Sequence, residues 1–84
     1  MKIEMQNGQP IIDARDLGPL LGLAPKIVHQ MMRDGQITSR FETGEGEDEG
    51  KFRLTFFYNG TRLRLTCSAD GNVVKTSRVR SSTP

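Results

Sequence analysis

The sequence predicts a small α+β domain, in which an N-terminal β-hairpin and two short helices precede an antiparallel sheet of three or four strands. Asn-Gly or Asp-Gly pairs stand at residues 7–8, 59–60 and 70–71, each between apolar residues. Such pairs favour the positive φ angles of tight hairpin turns. Apolar residues at helical spacing fill much of the stretch between the first two pairs. A chain of 84 residues has the length of one domain. We expect residues 1–80 to form it and residues 81–84 to be a disordered tail.

The composition favours a protein of a reducing compartment. Cys67 is the only cysteine, which excludes an internal disulfide. The first ten residues lack the apolar run of a signal peptide, and no stretch approaches the roughly 20 apolar residues that span a bilayer. We therefore expect a cytoplasmic protein with no membrane partner.

The first half of the chain predicts a hairpin and two helices. Residues 2–12 surround the first turn pair, although proline at position 10 restricts that hairpin to an edge or an end. Asp13 is a good N-cap for a helix that begins at Ala14 and ends at Gly22. Pro19 removes a hydrogen bond from the second turn, so we expect this helix to be kinked or short.

A second helix is predicted to begin at Pro25 and to end before Gly35, because proline suits the first helical position and glycine the residue past the end. Its inward stripe includes Val28 and Met31. Its outward face would carry four polar side chains: Lys26, His29, Gln30 and Arg33.

The second half predicts the sheet and its register. Residues 36–43 alternate as a strand, with Ile37, Ser39 and Phe41 on one side. If residues 59–60 form a two-residue turn, one face of the next hairpin carries Phe52, Leu54, Phe56, Leu63, Leu65 and Cys67, and the other carries Arg53, Thr55, Phe57, Arg62, Arg64 and Thr66. A two-residue turn at Asp70-Gly71 would place Val74 beside Cys67. We expect the helices to cover the apolar face.

The helical corner resembles the helix-turn-helix units of excisionases and mercury-resistance-type regulators. The resemblance is carried by Gly18, by Leu21-Gly22-Leu23 and by the apolar anchors Val28 and Met31. It implies a winged-helix-like arrangement in which the outward residues of the second helix meet the major groove of DNA. Asp34 beside that face and five acids in residues 42–50 oppose this interpretation, because phosphate contacts supply much of DNA affinity.

The basic hairpin face is a second candidate site. Arg53, Arg62 and Arg64 beside an outward Phe57 resemble a platform on which an aromatic ring stacks a base of single-stranded RNA while arginines hold phosphates. An exposed phenylalanine equally suits a protein partner or a homodimer contact. The residues alone leave these alternatives open.

The acidic loop and the few reactive side chains point to no catalytic chemistry. Residues 42–50 lack the spacing of an EF-hand, so the loop either binds a cation loosely, remains solvated or covers the neighbouring basic hairpin. His29 is the only histidine, and Cys67 is expected to face the core. We therefore expect no enzyme activity, no metal site and no cofactor.

Over its whole length the chain resembles a small bacterial family of domains with no assigned function. The matching motifs are IDA..L...LGL.P, here from Ile12 to Pro25, and GEGED.G..RLTF, here from Gly44 to Phe56. This resemblance implies the fold grouping and no chemistry. The sequence thus predicts a non-enzymatic, regulatory binding module that engages a protein partner or itself, with nucleic-acid binding as the alternative.

Overall fold

The computed structural model describes residues 1–44 and 46–80. A two-stranded hairpin, β1 (Glu4–Gln6) and β2 (Gln9–Ile11), precedes helices α1 (Ala14–Leu21) and α2 (Pro25–Arg33). An antiparallel sheet follows, with strands β3 (Ile37–Thr43), β4 (Phe52–Tyr58), β5 (Thr61–Cys67) and β6 (Val73–Arg80) in sequence order. The predicted α+β order is confirmed, and the sheet has four strands. The expected disordered tail, residues 81–84, lies outside the described residues.

Helix α1 begins and ends where its capping residues predict. The backbone N–H of Arg15 donates to the Asp13 carboxylate at 2.8 Å, so Asp13 caps the first turn. The side-chain hydrogen bond from Arg15 lowers the pKa of Asp13 to about 2. Pro19 lies inside α1, which is only eight residues long and ends before Gly22. The guanidinium of Arg78 on β6 donates to the carbonyl of Leu20 at 3.0 Å and so ties the end of α1 to the sheet.

Helices α1 and α2 are joined by a short connection, residues 22–24. The backbone of this connection lies so close to Gly18 of α1 that no side chain would fit there. A Cβ at Gly18 would lie 2.6 Å from the carbonyl oxygen of Leu23, whose own N–H donates to the Gly18 carbonyl at 2.8 Å. The two helices therefore meet backbone against backbone at this corner. In the described part of the chain, neither helix has the length and apolar character needed to cross a membrane.

The sheet has the predicted register on β4 and β5. Phe56 pairs with Leu63, Leu54 with Leu65 and Phe52 with Cys67. The side chains of this face, with residues from the helices, the N-terminal segment and β3, form the buried core: Ile3, Leu17, Val28, Ile37, Phe52, Leu54, Phe56, Leu63, Leu65 and Cys67. The helices thus lie on the apolar face of the sheet, as the alternation predicts.

The N-terminal segment also joins the core. Ile3 is fully enclosed, and its N–H donates to the carbonyl of Gly71 at 2.8 Å. Two residues earlier, the carbonyl of Met1 accepts from the N–H of Val73 at 3.0 Å. The first three residues therefore pair along the β5–β6 turn, and Ile3 closes the end of the core beneath it.

The predicted neighbour of Cys67 is wrong. Val73, not Val74, pairs with Cys67, and Val74 is the extra residue of a β-bulge with 60% of its surface exposed. The reason is the turn, which contains three residues because the N–H of Ser68 donates to the carbonyl of Asn72 at 2.9 Å. Its third residue, Gly71, has a φ of 92°, which is the usual end of a three-residue hairpin loop. Beyond the bulge, Lys75 pairs with Thr66.

Leu65→Ala tests the core face. Leu65 has no exposed surface, so the substitution removes buried methyl groups and leaves a cavity, and we expect it to lower the free energy of unfolding by about 2–5 kcal/mol. Val79→Ala on the neighbouring strand is the control. Val79 is 46% exposed, and its truncation should cost about 0.5 kcal/mol or less. Urea melts that rank the two variants in the opposite order would show that the face assignment is wrong.

Gly71→Ala tests the contact between the N-terminus and the β5–β6 turn. Both Gly71 and Gly8 have positive φ angles, so alanine at either position costs about 1–2 kcal/mol of backbone strain. Only at Gly71 would the new Cβ meet another group, the carbonyl oxygen of Ile3, whereas nothing lies within 4 Å at Gly8. We expect Gly71→Ala to lower the melting temperature well beyond Gly8→Ala. Equal losses would mean that Ile3 does not pack against the turn.

Candidate functional site

The face of the sheet opposite the core is the surface on which most of the candidate residues meet. We call it the open face, because both helices lie on the other side. Cross-strand pairing arranges its side chains in three rows of four. The rows, each read from β3 to β6, are Thr38-Phe57-Arg62-Val79, Arg40-Thr55-Arg64-Ser77 and Glu42-Arg53-Thr66-Lys75.

The open face is strongly basic. It holds five cationic side chains and one carboxylate, that of Glu42 at one corner. Among the residues that the structure describes, the one ion pair with an N···O distance within 4 Å joins Arg15 to Asp13, which lie elsewhere. The five cations therefore have no described carboxylate as a close partner, and their positive fields add over one surface.

The first row presents apolar groups beside a guanidinium. Phe57 is 40% exposed and Val79 is 46% exposed, and Arg62 lies between them in the register. These side chains, with Thr38, line part of a shallow depression of about 520 Å³ near the β4–β5 turn. A flat ring can stack on an exposed phenylalanine while the neighbouring arginine holds a negative charge.

The middle row contains two buried polar atoms without partners. Thr55 points to the open face but is only 2% exposed, and its hydroxyl has no hydrogen-bond partner. The Nε atom of Arg64, the cross-strand neighbour of Thr55, is likewise buried and unpaired. Leaving a buried polar group without a hydrogen bond costs about 1–3 kcal/mol. Among the described residues, the buried side-chain atoms that lack a hydrogen-bond partner lie in this row.

Helix α2 presents the other four candidate residues on a different side of the domain. Lys26, His29, Gln30 and Arg33 are exposed, and Val28 of the same helix faces the core. The side-chain amide of Gln30 donates to the carboxylate of Asp34 at 3.2 Å. This hydrogen bond occupies the amide that the helix-turn-helix interpretation expects to contact a base. The structure thus brings Arg53, Phe57, Arg62 and Arg64 together and keeps the α2 residues apart from them.

A comparison with protein families identifies the group to which the sequence belongs. A model described as a family of unknown function (DUF6522) matches residues 1–84. The chain belongs to the DUF6522 family. The comparisons with curated proteins and with solved structures give no match. The predicted membership of a family without an assigned function is confirmed, so the activity of this DUF6522 domain has to be argued from its own residues.

The acidic segment of this DUF6522 domain is partly a strand. Glu42 lies on β3 and pairs with Arg53, and residues 46–48 form a single 3₁₀ turn. Glu45 and the side chain of Asp48 lie outside the described part, so the idea that the loop covers the basic hairpin stays a prediction. Within the described residues, no three or more His, Cys, Asp or Glu side chains are grouped as metal ligands.

The single cysteine is placed as its strand position predicts. Cys67 is fully buried on the core side of β5. Burial raises the pKa of its thiol, which keeps the sulfur protonated at neutral pH. His29 is exposed on α2, on a different element. The two reactive side chains therefore lie in different environments, one enclosed in the core and one in solvent.

Sequence reasoning did not place six members of the open face there: Thr38, Arg40, Glu42, Lys75, Ser77 and Val79. The signal for Arg40 was present, because Ile37, Ser39 and Phe41 alternate on the core side and leave residue 40 for the other side. Lys75 belongs to the open face because it pairs with Thr66, which the hairpin pattern assigns to that face. Thr55 was assigned to the correct face. Its burial was not predictable from the alternation of β4 alone, because it depends on side chains of the neighbouring strands β3 and β5.

Proposed function

We propose that this domain is a non-enzymatic binding module that holds single-stranded nucleic acid on its open face. The observation that carries the proposal is the combination of five cations, a single carboxylate and an exposed phenylalanine on the sheet surface that faces away from both helices. Cations bind the phosphates of nucleic acids and release condensed counterions, which supplies sequence-independent affinity. An aromatic ring among them offers a stacking position to a base.

The exposed ring of Phe57 favours a single strand over a duplex. Bases in a duplex are stacked on each other, and proteins reach only their edges through the grooves. A ring on the surface of a sheet can stack only on a base that is free of its partner. Phe57 therefore adds affinity for unpaired RNA or DNA, while the arginines around it serve either kind of strand.

The charge of the open face opposes self-association through it. In a two-fold dimer the same patch meets itself, so five cations of one copy would face five cations of the other. Juxtaposed like charges cost several kcal/mol at an interface. A protein partner for this surface would have to be acidic, and such a partner would need no stacking ring. The dependence on Phe57 thus distinguishes an acidic protein from a nucleic acid.

Paired charge removal tests which surface binds. Arg53→Gln with Arg62→Gln removes two cations from the open face, and Lys26→Gln with Arg33→Gln removes two from α2. We expect the first pair to weaken binding to labelled oligo(U) and oligo(dT), and to make the slope of log K against log salt shallower by about 1.4, measured by fluorescence anisotropy between about 50 and 200 mM salt. The α2 pair should leave both values nearly unchanged.

Other outcomes of this titration decide against the proposal. A larger effect of the α2 pair, together with preference for duplex DNA, would support the helix-turn-helix interpretation. If the unsubstituted protein binds neither oligonucleotide at low salt, the open face is not a nucleic-acid surface.

Phe57→Ser tests the stacking position. Loss of base–aromatic stacking costs about 1–3 kcal/mol per base, so affinity for oligo(U) should fall about 5- to 150-fold. Affinity for heparin should not change, because heparin has sulfates but no base. Val79→Ser is the matched control, since Val79 is an exposed apolar residue in the same row. Equal loss for both ligands would indicate a structural defect, and no loss for either would favour an acidic protein partner.

A further inference from the structure

The two unpaired polar atoms of the middle row lie on neighbouring side chains. Thr55 is flanked across the strands by Arg40 on β3 and by Arg64 on β5. Directly opposite side chains in an antiparallel pair have Cβ atoms about 4.5–5.5 Å apart. Arg40 and Arg64 therefore lie on strands two spacings apart, roughly 9.5 Å, with the buried hydroxyl of Thr55 midway between them. One small ligand above Thr55 can reach both guanidinium groups.

The presence of a hydroxyl at this position has no structural explanation within the described residues. Thr55 is 98% buried, and valine would fill almost the same volume without an unpaired oxygen. Replacing a polar group that lacks a partner with an apolar group of the same shape is neutral or stabilising. The Thr55 hydroxyl and the Nε–H of Arg64 can both donate, and neither has an acceptor among the residues that the structure describes.

We propose that Thr55, Arg40 and Arg64 form a phosphate-binding subsite at the centre of the open face. The proposal rests on the proposed function and specifies where one phosphate group of the strand is held. A phosphate oxygen accepts from the Thr55 hydroxyl, and a second oxygen accepts from Nε–H of Arg64. Arg40 supplies the opposing positive charge. Arginine matches phosphate oxygens with a planar set of donors, which a lysine ammonium does not.

The position of the subsite agrees with that of the stacking ring. Phe57 is two residues beyond Thr55 on β4 and points to the same face, a separation of about 6.6–6.8 Å along the strand. The sugar of one nucleotide spans such a distance, so a base on Phe57 and its phosphate on Thr55 belong to the same residue of the ligand. The hydroxyl is buried, so a phosphate that binds it has to displace the side chains that cover it.

Thr55→Val is the variant that tests the subsite. We expect it to keep or raise the melting temperature, since it removes an unpaired hydroxyl, while affinity for oligo(U) falls about tenfold. Thr76→Val is the control, because Thr76 pairs with the core residue Leu65 and so lies on the opposite face of the sheet. It should leave affinity unchanged. Arg64→Lys keeps the charge and removes the Nε–H, so it should weaken binding nearly as much as Thr55→Val.

Inorganic phosphate provides a readout that does not depend on the nucleic acid. In an NMR titration, phosphate should shift the amide signals of Thr55 and Arg64 in the unsubstituted protein and not in Thr55→Val. If oligo(U) binds the unsubstituted protein and Thr55→Val equally, the subsite is wrong and the proposed function stands. If phosphate shifts those signals but no oligonucleotide binds, the subsite stands and the proposed function is wrong. Identical phosphate shifts in both proteins would overturn the subsite.

Discussion

Asn59 and Gly60 both adopt positive φ angles, 46° and 77°, and this turn sets the register on which both faces of the sheet depend. Because side chains alternate along a strand, the pairing of Phe56 with Leu63 also places Phe57 opposite Arg62. A slip of β5 by one residue against β4 would turn Leu63 and Leu65 away from the core and turn Arg62 and Arg64 toward it. Burial of the core therefore enforces the assembly of the basic surface. The hydrophobic free energy gained by burying the apolar face thus also fixes the positions of the charged side chains on the opposite face.

The helical side closes this core with backbone contacts that tolerate no added side chain. Gly18 meets the carbonyl of Leu23 at the corner between the helices, and Gly71 meets the carbonyl of Ile3 at the β5–β6 turn. Ile3, Leu17 and Val28 are then fully enclosed against the sheet. Since the helices and the N-terminus cover one face, the other face takes no part in closing the core. It can carry an exposed ring and cations that have no close carboxylate among the described residues, although neither feature stabilises the fold.

The parts of this structure that were predictable from the sequence are those that rest on local rules. The turn residues and the alternation of β4 and β5 predict the hairpin, and Asp13, Gly22 and Pro25 predict the helix boundaries. Ile3 was not predictable as a core residue, because its partner Gly71 is remote in the chain and the contact is between backbones. Val74 was misplaced because turn length depends on the hydrogen bond between Ser68 and Asn72. Lys75 reaches the open face through its pairing with Thr66, which depends on the length of the preceding turn and on the bulge beside Cys67.

Charge is distributed unevenly around the domain, and the open face is its most positive described surface. Five of the twelve bases lie on this face beside one carboxylate, that of Glu42, whereas the other side chains that the structure describes comprise seven bases and seven acids. The small net charge of +2 therefore does not show that one described surface is strongly positive. A polyanion is attracted more strongly to this side of the molecule than to the others, which orients the encounter before any contact forms. Once the polyanion is oriented, its contacts with the Phe57 ring and the buried Thr55 hydroxyl determine whether it remains bound.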